Sequence, residues 1–249
     1  MKLPDFLYYS LFFFLLVSCK KSWLELDEIE AKKALALVEF GCNEIEEKWY
    51  VSALLNGSKI CYYDGQDNYF ASTGKFTISV TSGPYLDPKD TASILNSGKY
   101  LKFGITHELA HLQESLYFNT PLFPPETEWG EIAEESFKLG KLPLLSNLPG
   151  VDDNYFNSKG FNILLDIPYK RDSTSHGFFG VVLESRVGSQ EDSHLEIVKL
   201  DKLDANGYLY YTIEMEFACN LYRAHGLMAG EFYGRLEDGK LVMQVEVKK

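Results

Sequence analysis

The sequence lacks the signatures of several large enzyme classes. It contains no phosphate-binding loop, no dinucleotide-binding glycine fingerprint and no Gly-x-Ser-x-Gly nucleophile elbow. Basic residues are also scarce, since 24 Lys and Arg stand against 36 Asp and Glu, which gives a formal net charge of −12. That charge repels phosphate backbones, and no basic patch interleaved with aromatic residues offsets it. Nucleic acid is therefore not an expected partner.

The N-terminal apolar segment is too short for a membrane span. It covers residues 6–17, whereas a spanning helix needs ~20 predominantly apolar residues. Met1-Lys2 supplies positive charge before the segment, and the small residue Ser18 follows it. This order is typical of a secretory signal peptide that is removed during export. Cleavage after Ser18 makes Cys19 the new N-terminus.

The position of Cys19 resembles that of the acylated cysteine in bacterial lipoproteins. Several acyl chains on one residue anchor a protein firmly, because each buried methylene contributes ~0.8 kcal/mol. The alternative is an ordinary secretory signal in which the cysteine occurs by chance. Lys20, where an inner-membrane lipoprotein carries Asp, is similar to the Gram-negative sorting signal for the outer membrane. We therefore expect palmitate-type lipidation of Cys19 and a location at the outer membrane of the cell envelope.

Residues 24–48 are predicted to form an amphipathic helix, which Gly41 interrupts. Apolar residues recur in it at helical spacing, with charged residues between them. A second, shorter helical pattern covers residues 129–139. The sequence thus places one helix before the main domain and one or two short helices inside it, in an insertion near 106–139.

The rest of the chain has the pattern of antiparallel β-structure. Asn56-Gly57 lies between two β-rich runs, which is a strong hairpin signal. Turn residues, including Ala205-Asn206-Gly207 and Glu237-Asp238-Gly239, separate the C-terminal runs. Many short strands at this spacing indicate an antiparallel sandwich or barrel. The predicted C-terminal strands cover 161–167, 177–183, 195–200, 208–219 and 241–247.

A succession of short motifs resembles an uncharacterised lipoprotein family of the Bacteroidota type with a β-sandwich domain. The resemblance covers most of residues 50–249 and implies a mainly β, antiparallel sandwich, but no catalytic residues. The segments 24–48 and 106–117 depart from the family pattern. The motifs are Ala53-Leu54-Leu55-Asn56-Gly57, Phe137-Lys138-Leu139-Gly140-Lys141, Gly188-Ser189-Gln190-Glu191-Asp192-Ser193 before Leu195-Glu196-Ile197, Glu216-Phe217-Ala218-Cys219-Asn220-Leu221-Tyr222 and Leu236-Glu237-Asp238-Gly239-Lys240.

A zinc-peptidase motif, His107-Glu108-Leu109-Ala110-His111, supports a different function. Two histidines four residues apart share one helix face and can both bind Zn²⁺, while Glu108 can act as the general base. The third ligand expected for a gluzincin-like site is Glu131, with Glu134 or Glu135 as substitutes. The metzincin pattern is excluded, because Glu114 and Tyr117 replace its glycine and third histidine.

The same motif is also compatible with an ordinary amphipathic surface helix. On a helical wheel Ile105, Leu109, Leu112 and Leu116 share one face, and His107 lies with the polar residues opposite. A motif of this length also occurs by chance in chains with five histidines. The family resemblance on both sides of it favours the non-enzymatic interpretation.

Weaker patterns leave further alternatives open. Asp64, Asp67 and Asn68 could hold calcium, although a polar turn of this composition is usually only a turn. Cys42, Cys61 and Cys219 remain beyond Cys19, and an odd number leaves at least one thiol unpaired. Since Cys61 and Cys219 both lie in predicted strands, we expect any disulfide to join these two.

The sequence therefore predicts three parts: a signal peptide over 1–18, a lipidated N-terminus with an amphipathic helix over 19–49, and a β-sandwich domain over 50–249. The predicted function is a lipid-anchored binding or structural module. The lipid is its membrane contact, an envelope protein or glycan is its possible ligand, and no cofactor is expected. The alternative is a lipid-anchored zinc metallopeptidase.

Overall fold

The main domain consists mostly of antiparallel β-strands. A computed structural model describes residues 48–65, 68–80, 96–107, 114–146, 159–167, 181–224 and 229–249. All of them belong to one compact unit, formed by residues 40–168 and 178–249. The signal peptide, Cys19 and the expected helix up to residue 47 lie outside these ranges and stay predictions. No helix in the described ranges is long and apolar enough to cross a bilayer.

Eleven strands and one helix occur in the described ranges. In chain order they are β1 (Tyr50–Leu55), β2 (Ser58–Tyr63), β3 (Tyr69–Val80), β4 (Asn96–His107), β5 (Ser115–Asn119), α1 (Trp129–Ser136), β6 (Gly140–Lys141), β7 (Asn162–Ile167), β8 (Val181–Glu184), β9 (His194–Ala205), β10 (Tyr208–Arg223) and β11 (Phe232–Lys248).

The strands form a single, nearly closed sheet rather than a clear sandwich. Nine strands follow one hydrogen-bonded path, β2-β1-β11-β10-β8-β7-β5-β4-β3, while β9 pairs with β10 and with the short β6. The outermost strands β2 and β3 approach each other, since Tyr62 stacks on Tyr69 with ring centroids 4.8 Å apart. The predicted mainly β, antiparallel class is confirmed, but the two separate packed layers of a sandwich are not seen.

Two predicted hairpin turns are confirmed. Asn56 and Gly57 have φ angles of 51° and 81°, and Asn206 and Gly207 have φ angles of 54° and 80°. Positive φ at both central residues defines the two-residue type I′ turn, whose twist matches that of the flanking strands. These turns join β1 to β2 and β9 to β10, so the local sequence specifies both connections.

The third predicted turn, Glu237-Asp238-Gly239, is instead a bulge inside β11. The pairing of β11 shifts register against β10 between Phe217 and Cys219, and against β1 between Ser52 and Leu54. Asp238 has a φ of 48°. One extra residue in β11 therefore bends this strand without ending it, as expected of a β-bulge.

The core contains the inward side of most strands, although β3 and β6 contribute no buried side chain among the described residues, and α1 packs on it. Alternate residues of β10 are buried, and the ring of Phe217 contacts that of Phe118 edge-on at 5.1 Å between centroids. Helix α1 begins where predicted and ends three residues earlier. Its buried residues Ile132 and Ala133 follow a capping box between Glu128 and Glu131.

The helix that the sequence suggested around the zinc motif does not extend over the described residues on either side of it. Strand β4 continues to His107, and β5 begins at Ser115. The backbone N–H of His107 donates to the carbonyl of Glu114 at 2.9 Å, so the strands remain paired up to this point. The apolar spacing was ambiguous, because Ile105 fits a two-residue period as well as a helical one.

Candidate functional site

The structure describes only one residue of the predicted zinc motif. His107 is half-buried at the end of β4, and its ring meets Tyr69 edge-on at 4.7 Å between centroids. The Tyr69 hydroxyl donates a hydrogen bond to the Glu114 carboxylate. Glu108 and His111 lie outside the described residues, so their proposed roles stay predictions. His107 is thus a strand residue beside a tyrosine–carboxylate pair.

Glu131, the predicted third ligand, belongs to the helix that begins near Lys99 of β4. It is exposed on α1, where its carboxylate accepts a 3.4 Å hydrogen bond from the N–H of Glu128. The N-terminal end of α1 lies beside Lys99, whose ammonium is 5.3 Å from the ring centroid of Trp129. His107 is eight positions further along β4, which corresponds to ~26 Å of extended chain. Two ligands of one zinc ion must both lie within about 2.2 Å of it.

The two substitute ligands are exposed and already paired. Glu134 accepts from Lys202 at 2.5 Å, and Glu135 accepts from Lys138 at 2.9 Å. The hydrogen bond from Lys138 lowers the pKa of Glu135. In the part of the chain that the structure describes, no group of three His, Cys, Asp or Glu side chains could hold a metal ion.

The cysteine pairing expected from the sequence is wrong. Cys61 is disulfide-bonded, whereas Cys219 is a free, buried thiol, so they do not form a disulfide with each other. Strands β1 and β11 separate β2 from β10 in the sheet, which places the two strands ~14 Å apart along the sheet. A disulfide requires Cα atoms within about 7 Å. Cys42 and Cys19 lie outside the described residues.

Asp64 stabilises the turn between β2 and β3. Its carboxylate accepts a 2.7 Å hydrogen bond from the N–H of Ala71, and Asn68 adopts a φ of 64°. Both features are typical of Asp and Asn in turns. Asp67 lies outside the described residues, so the calcium alternative is untested.

A groove of about 590 Å³ lies at the β11 bulge. This volume is within the usual range for ligand sites. Three stretches distant in sequence form it: the start of β9, the middle of β10 and the bulged part of β11. Its charged and polar side chains are those of His194, Glu216, Arg235, Glu237, Asp238 and Lys240.

Arg235 is held rigidly at one side of this groove, which we call the bulge groove. Its guanidinium donates to Asn220 Oδ1 at 2.8 Å and to the Asp192 carbonyl at 2.5 Å. Gln190 in turn fixes Asn220, because its Oε1 accepts from the Asn220 N–H at 3.0 Å and its Nε2 donates to the Asn220 carbonyl at 2.9 Å. A side chain held by several hydrogen bonds loses little entropy when a ligand binds.

The charges of the bulge groove are not balanced. Lys240 pairs with Glu214 at 2.6 Å, and this hydrogen bond raises the Lys240 pKa. Glu216 and Asp238 are exposed and form no ion pair with the other described residues. The groove therefore presents free carboxylate acceptors between basic groups that are already engaged.

Sequence reasoning missed this groove for two reasons. Its residues are distant in sequence, and Glu237-Asp238-Gly239 has the composition of a turn. The one available signal was a Gly within an otherwise alternating strand pattern, which can mark a bulge. That signal locates a bulge but does not indicate which neighbouring strands complete a site.

No family model, curated protein or solved structure matches this chain. The resemblance to Bacteroidota-type lipoproteins therefore stays a prediction.

Proposed function

We propose that this protein is a lipid-anchored module of the cell envelope that binds a polar ligand in the bulge groove. The N-terminal segment ending in Cys19 supports the anchor, at the outer membrane. The observation that carries the binding role is the preorganised Arg235 beside exposed carboxylates in a groove of about 590 Å³. The lipid keeps this domain at the membrane surface, where envelope ligands are concentrated.

The chemistry of the groove constrains its ligand. The free carboxylates of Glu216 and Asp238 accept hydrogen bonds from hydroxyl, amide or ammonium groups. They repel phosphate and carboxylate groups, in keeping with the net charge of −12. An envelope glycan or a protein segment with hydroxyl or amino groups meets these requirements, whereas nucleic acid does not.

A zinc metallopeptidase is the second candidate function, and only the sequence motif supports it. It needs Glu108 as base and His107, His111 and a carboxylate as ligands. The position of His107 at the end of a strand gives it no support. Metal analysis of purified residues 20–249 tests it: we expect no stoichiometric zinc and no loss of melting temperature with chelator. About one tightly bound zinc per chain would establish the metal site instead.

The binding role is tested on an immobilised panel of purified envelope oligosaccharides and peptides. We expect residues 20–249 to bind at least one neutral or basic ligand. A double variant, Glu216→Gln with Asp238→Asn, should bind it at least ~10-fold more weakly, because each lost charge-assisted hydrogen bond contributes ~1.5–3 kcal/mol. Glu246→Gln, an exposed change elsewhere on β11, is the matched control. Equal binding by both variants would contradict the assignment of the groove.

A further inference from the structure

Two chain segments cover the sheet where β4, β5 and β7 adjoin. Residues 120–123 follow β5 and are fixed by a hydrogen bond from the Phe123 N–H to the Lys99 carbonyl, at 2.9 Å. Residues 143–146 precede β7 and are fixed by one from the Leu145 N–H to the Phe161 carbonyl, at 2.8 Å. Each hydrogen bond belongs to an isolated β-bridge, so each covering segment is bound to the end of a strand through its backbone.

The cover is tight at two glycines. An ideal Cβ at Gly98 would lie 2.6 Å from Cγ of Leu122, and one at Gly160 would lie 2.5 Å from the backbone N of Leu145. Neither distance occurs in ordinary packing. The segments therefore fit the sheet only because these positions carry no side chain, and little free space remains beneath them.

One small cavity nevertheless persists under the cover. Its volume is about 10 Å³, and Tyr100, Asn119, Thr120, Leu122, Leu145 and Asn162 line it. Asn119 is only 8% exposed, and its Oδ1 is fully buried with no hydrogen-bond partner in the described protein. A buried amide oxygen without a partner costs free energy, so the cavity lies beside a group that needs a donor.

Two polar neighbours of Asn119, Asn162 and Thr120, form hydrogen bonds with other groups. Asn162 faces it across β5 and β7, but the Asn162 Nδ2 donates to the buried Glu184 carboxylate at 3.3 Å. The Asn162 Oδ1 accepts from Ser185 Oγ and from the N–H of Arg186, both at 3.2 Å. The amide of Asn162 is thus held in its present orientation by three bonds.

The hydroxyl of Thr120 is also engaged in hydrogen bonds. Its hydroxyl accepts from the N–H of Leu101 at 3.0 Å and donates to the carbonyl of Pro121 at 3.2 Å. The hydroxyl proton is therefore in use, although one oxygen lone pair remains open to a further donor. A ligand that donates two hydrogen bonds could satisfy Asn119 Oδ1 and this lone pair together.

We propose that the cavity is a binding site for one structural water molecule, which donates a hydrogen bond to Asn119 Oδ1. Buried waters need roughly 10–15 Å³ of accessible space and two to four polar partners. The cavity is of this size and provides such partners. A calcium ion would require 6–8 oxygen ligands, far more than this cavity offers. The water links the covering segments to the sheet through polar contacts.

A crystal structure at better than about 1.8 Å and water–protein cross-relaxation NMR test the proposal. We expect one ordered water about 2.7–3.2 Å from Asn119 Oδ1, with cross-peaks between a long-lived water and cavity protons. In Asn119→Leu the added methyl groups fill the site, and both signals should disappear. Asn220→Leu, which removes a polar side chain outside the cavity, should retain them.

Electron density that leaves the cavity empty overturns the proposal, as does density that shows Asn119 Oδ1 bonded to a protein group. If Asn119→Leu does not fold, the wild-type density and cross-peaks still decide the question. A water that persists unchanged in a folded Asn119→Leu protein also contradicts the inference.

Discussion

Gly239 of β11 faces Phe217 of β10, and an ideal Cβ at Gly239 would lie 2.4 Å from Cε2 of the phenylalanine ring. The missing side chain leaves room for that ring, which packs edge-on against Phe118 in the core. The bulge that contains Asp238 immediately precedes Gly239. One local irregularity of β11 therefore serves both the core and the bulge groove.

The first prediction concerns this contact. Gly239→Ala should lower the free energy of unfolding by about 1–3 kcal/mol, since overpacking forces the ring or the backbone to move. Gly130→Ala is the matched control. A Cβ at this helical position would be in ordinary van der Waals contact with Cδ1 of Leu209 at 3.5 Å, so the free energy of unfolding should stay equal or rise by up to ~1 kcal/mol. Urea denaturation measures both. Equal effects would show that the ring does not depend on Gly239.

The second prediction concerns the buried carboxylate of Glu184, which is 3% exposed and pairs with Arg186 at 2.6 Å. Arg186→Met should destabilise the protein by about 3 kcal/mol, because it leaves the buried Glu184 carboxylate without its cation. This value is near the lower limit for breaking a buried ion pair, since the Arg186 side chain is 30% exposed. Lys138→Met breaks the exposed pair with Glu135 and should leave the free energy of unfolding almost unchanged, because solvent screens exposed ion pairs. Chemical denaturation at pH 7 compares the two; a cost below 1 kcal/mol for Arg186→Met contradicts the argument.

The third prediction follows from the burial of Cys219, which raises the pKa of its thiol to about 12. In the unfolded chain this thiol ionises at its ordinary pKa of 9.0. Between pH 9.0 and about 12 the folded state therefore keeps the proton, whereas the unfolded state loses it. The stability contributed by the buried thiol is therefore complete below pH 9 and decreases as the pH rises towards 12. The slope for one group is up to ~1.4 kcal/mol per pH unit.

Unfolding curves from pH 8.5 to 11 measure this slope. The free energy of unfolding of Cys219→Ala should fall less steeply with pH than that of the wild type, whatever the variant's stability at pH 8.5. Thiol-specific reagents should also modify Cys219 only after unfolding, because the side chain is 0% exposed. Identical slopes, or rapid labelling of the native protein, would show that the thiol is not held in an apolar site.

The fourth prediction concerns the disulfide of Cys61. Cys219 is a free thiol, and acylation would consume the thiol of Cys19. Non-reducing peptide mapping should then identify Cys42 as the partner of Cys61. The variant Cys219→Ala should preserve the same linkage. A bond between Cys61 and Cys19 would instead refute the proposed lipid attachment without affecting the assignment of the bulge groove.

The fifth prediction concerns the anchor itself. Cys19→Ala should leave the protein unprocessed or soluble, because no thiol remains to be acylated. Fractionation with a high-salt wash and mass analysis of the N-terminus measure this. Cys61→Ala should stay lipidated and serves as the control for loss of a cysteine. If Cys19→Ala is processed normally and remains with the membrane fraction, the lipoprotein proposal is wrong.

The sequence by itself determined the local elements of the described domain. Asn-Gly pairs specify their hairpins because both residues accept positive φ, and the helical pattern over residues 129–139 locates α1, which begins at Trp129. Alternation of apolar residues marks most strands, since successive side chains point to opposite faces. Each of these signals depends only on residues a few positions apart.

Only the tertiary structure decided how those elements combine. Ile105, which fits both helical and strand periods, lies in a strand because Leu116 pairs with it across β4 and β5. Asp238 lies in a bulge rather than a turn because β10 and β1 continue on both sides of β11. Strand order, register and burial depend on contacts between residues far apart in the chain, and the composition of a single segment does not encode them. The bulge groove and the cavity beside Asn119 consist wholly of such contacts.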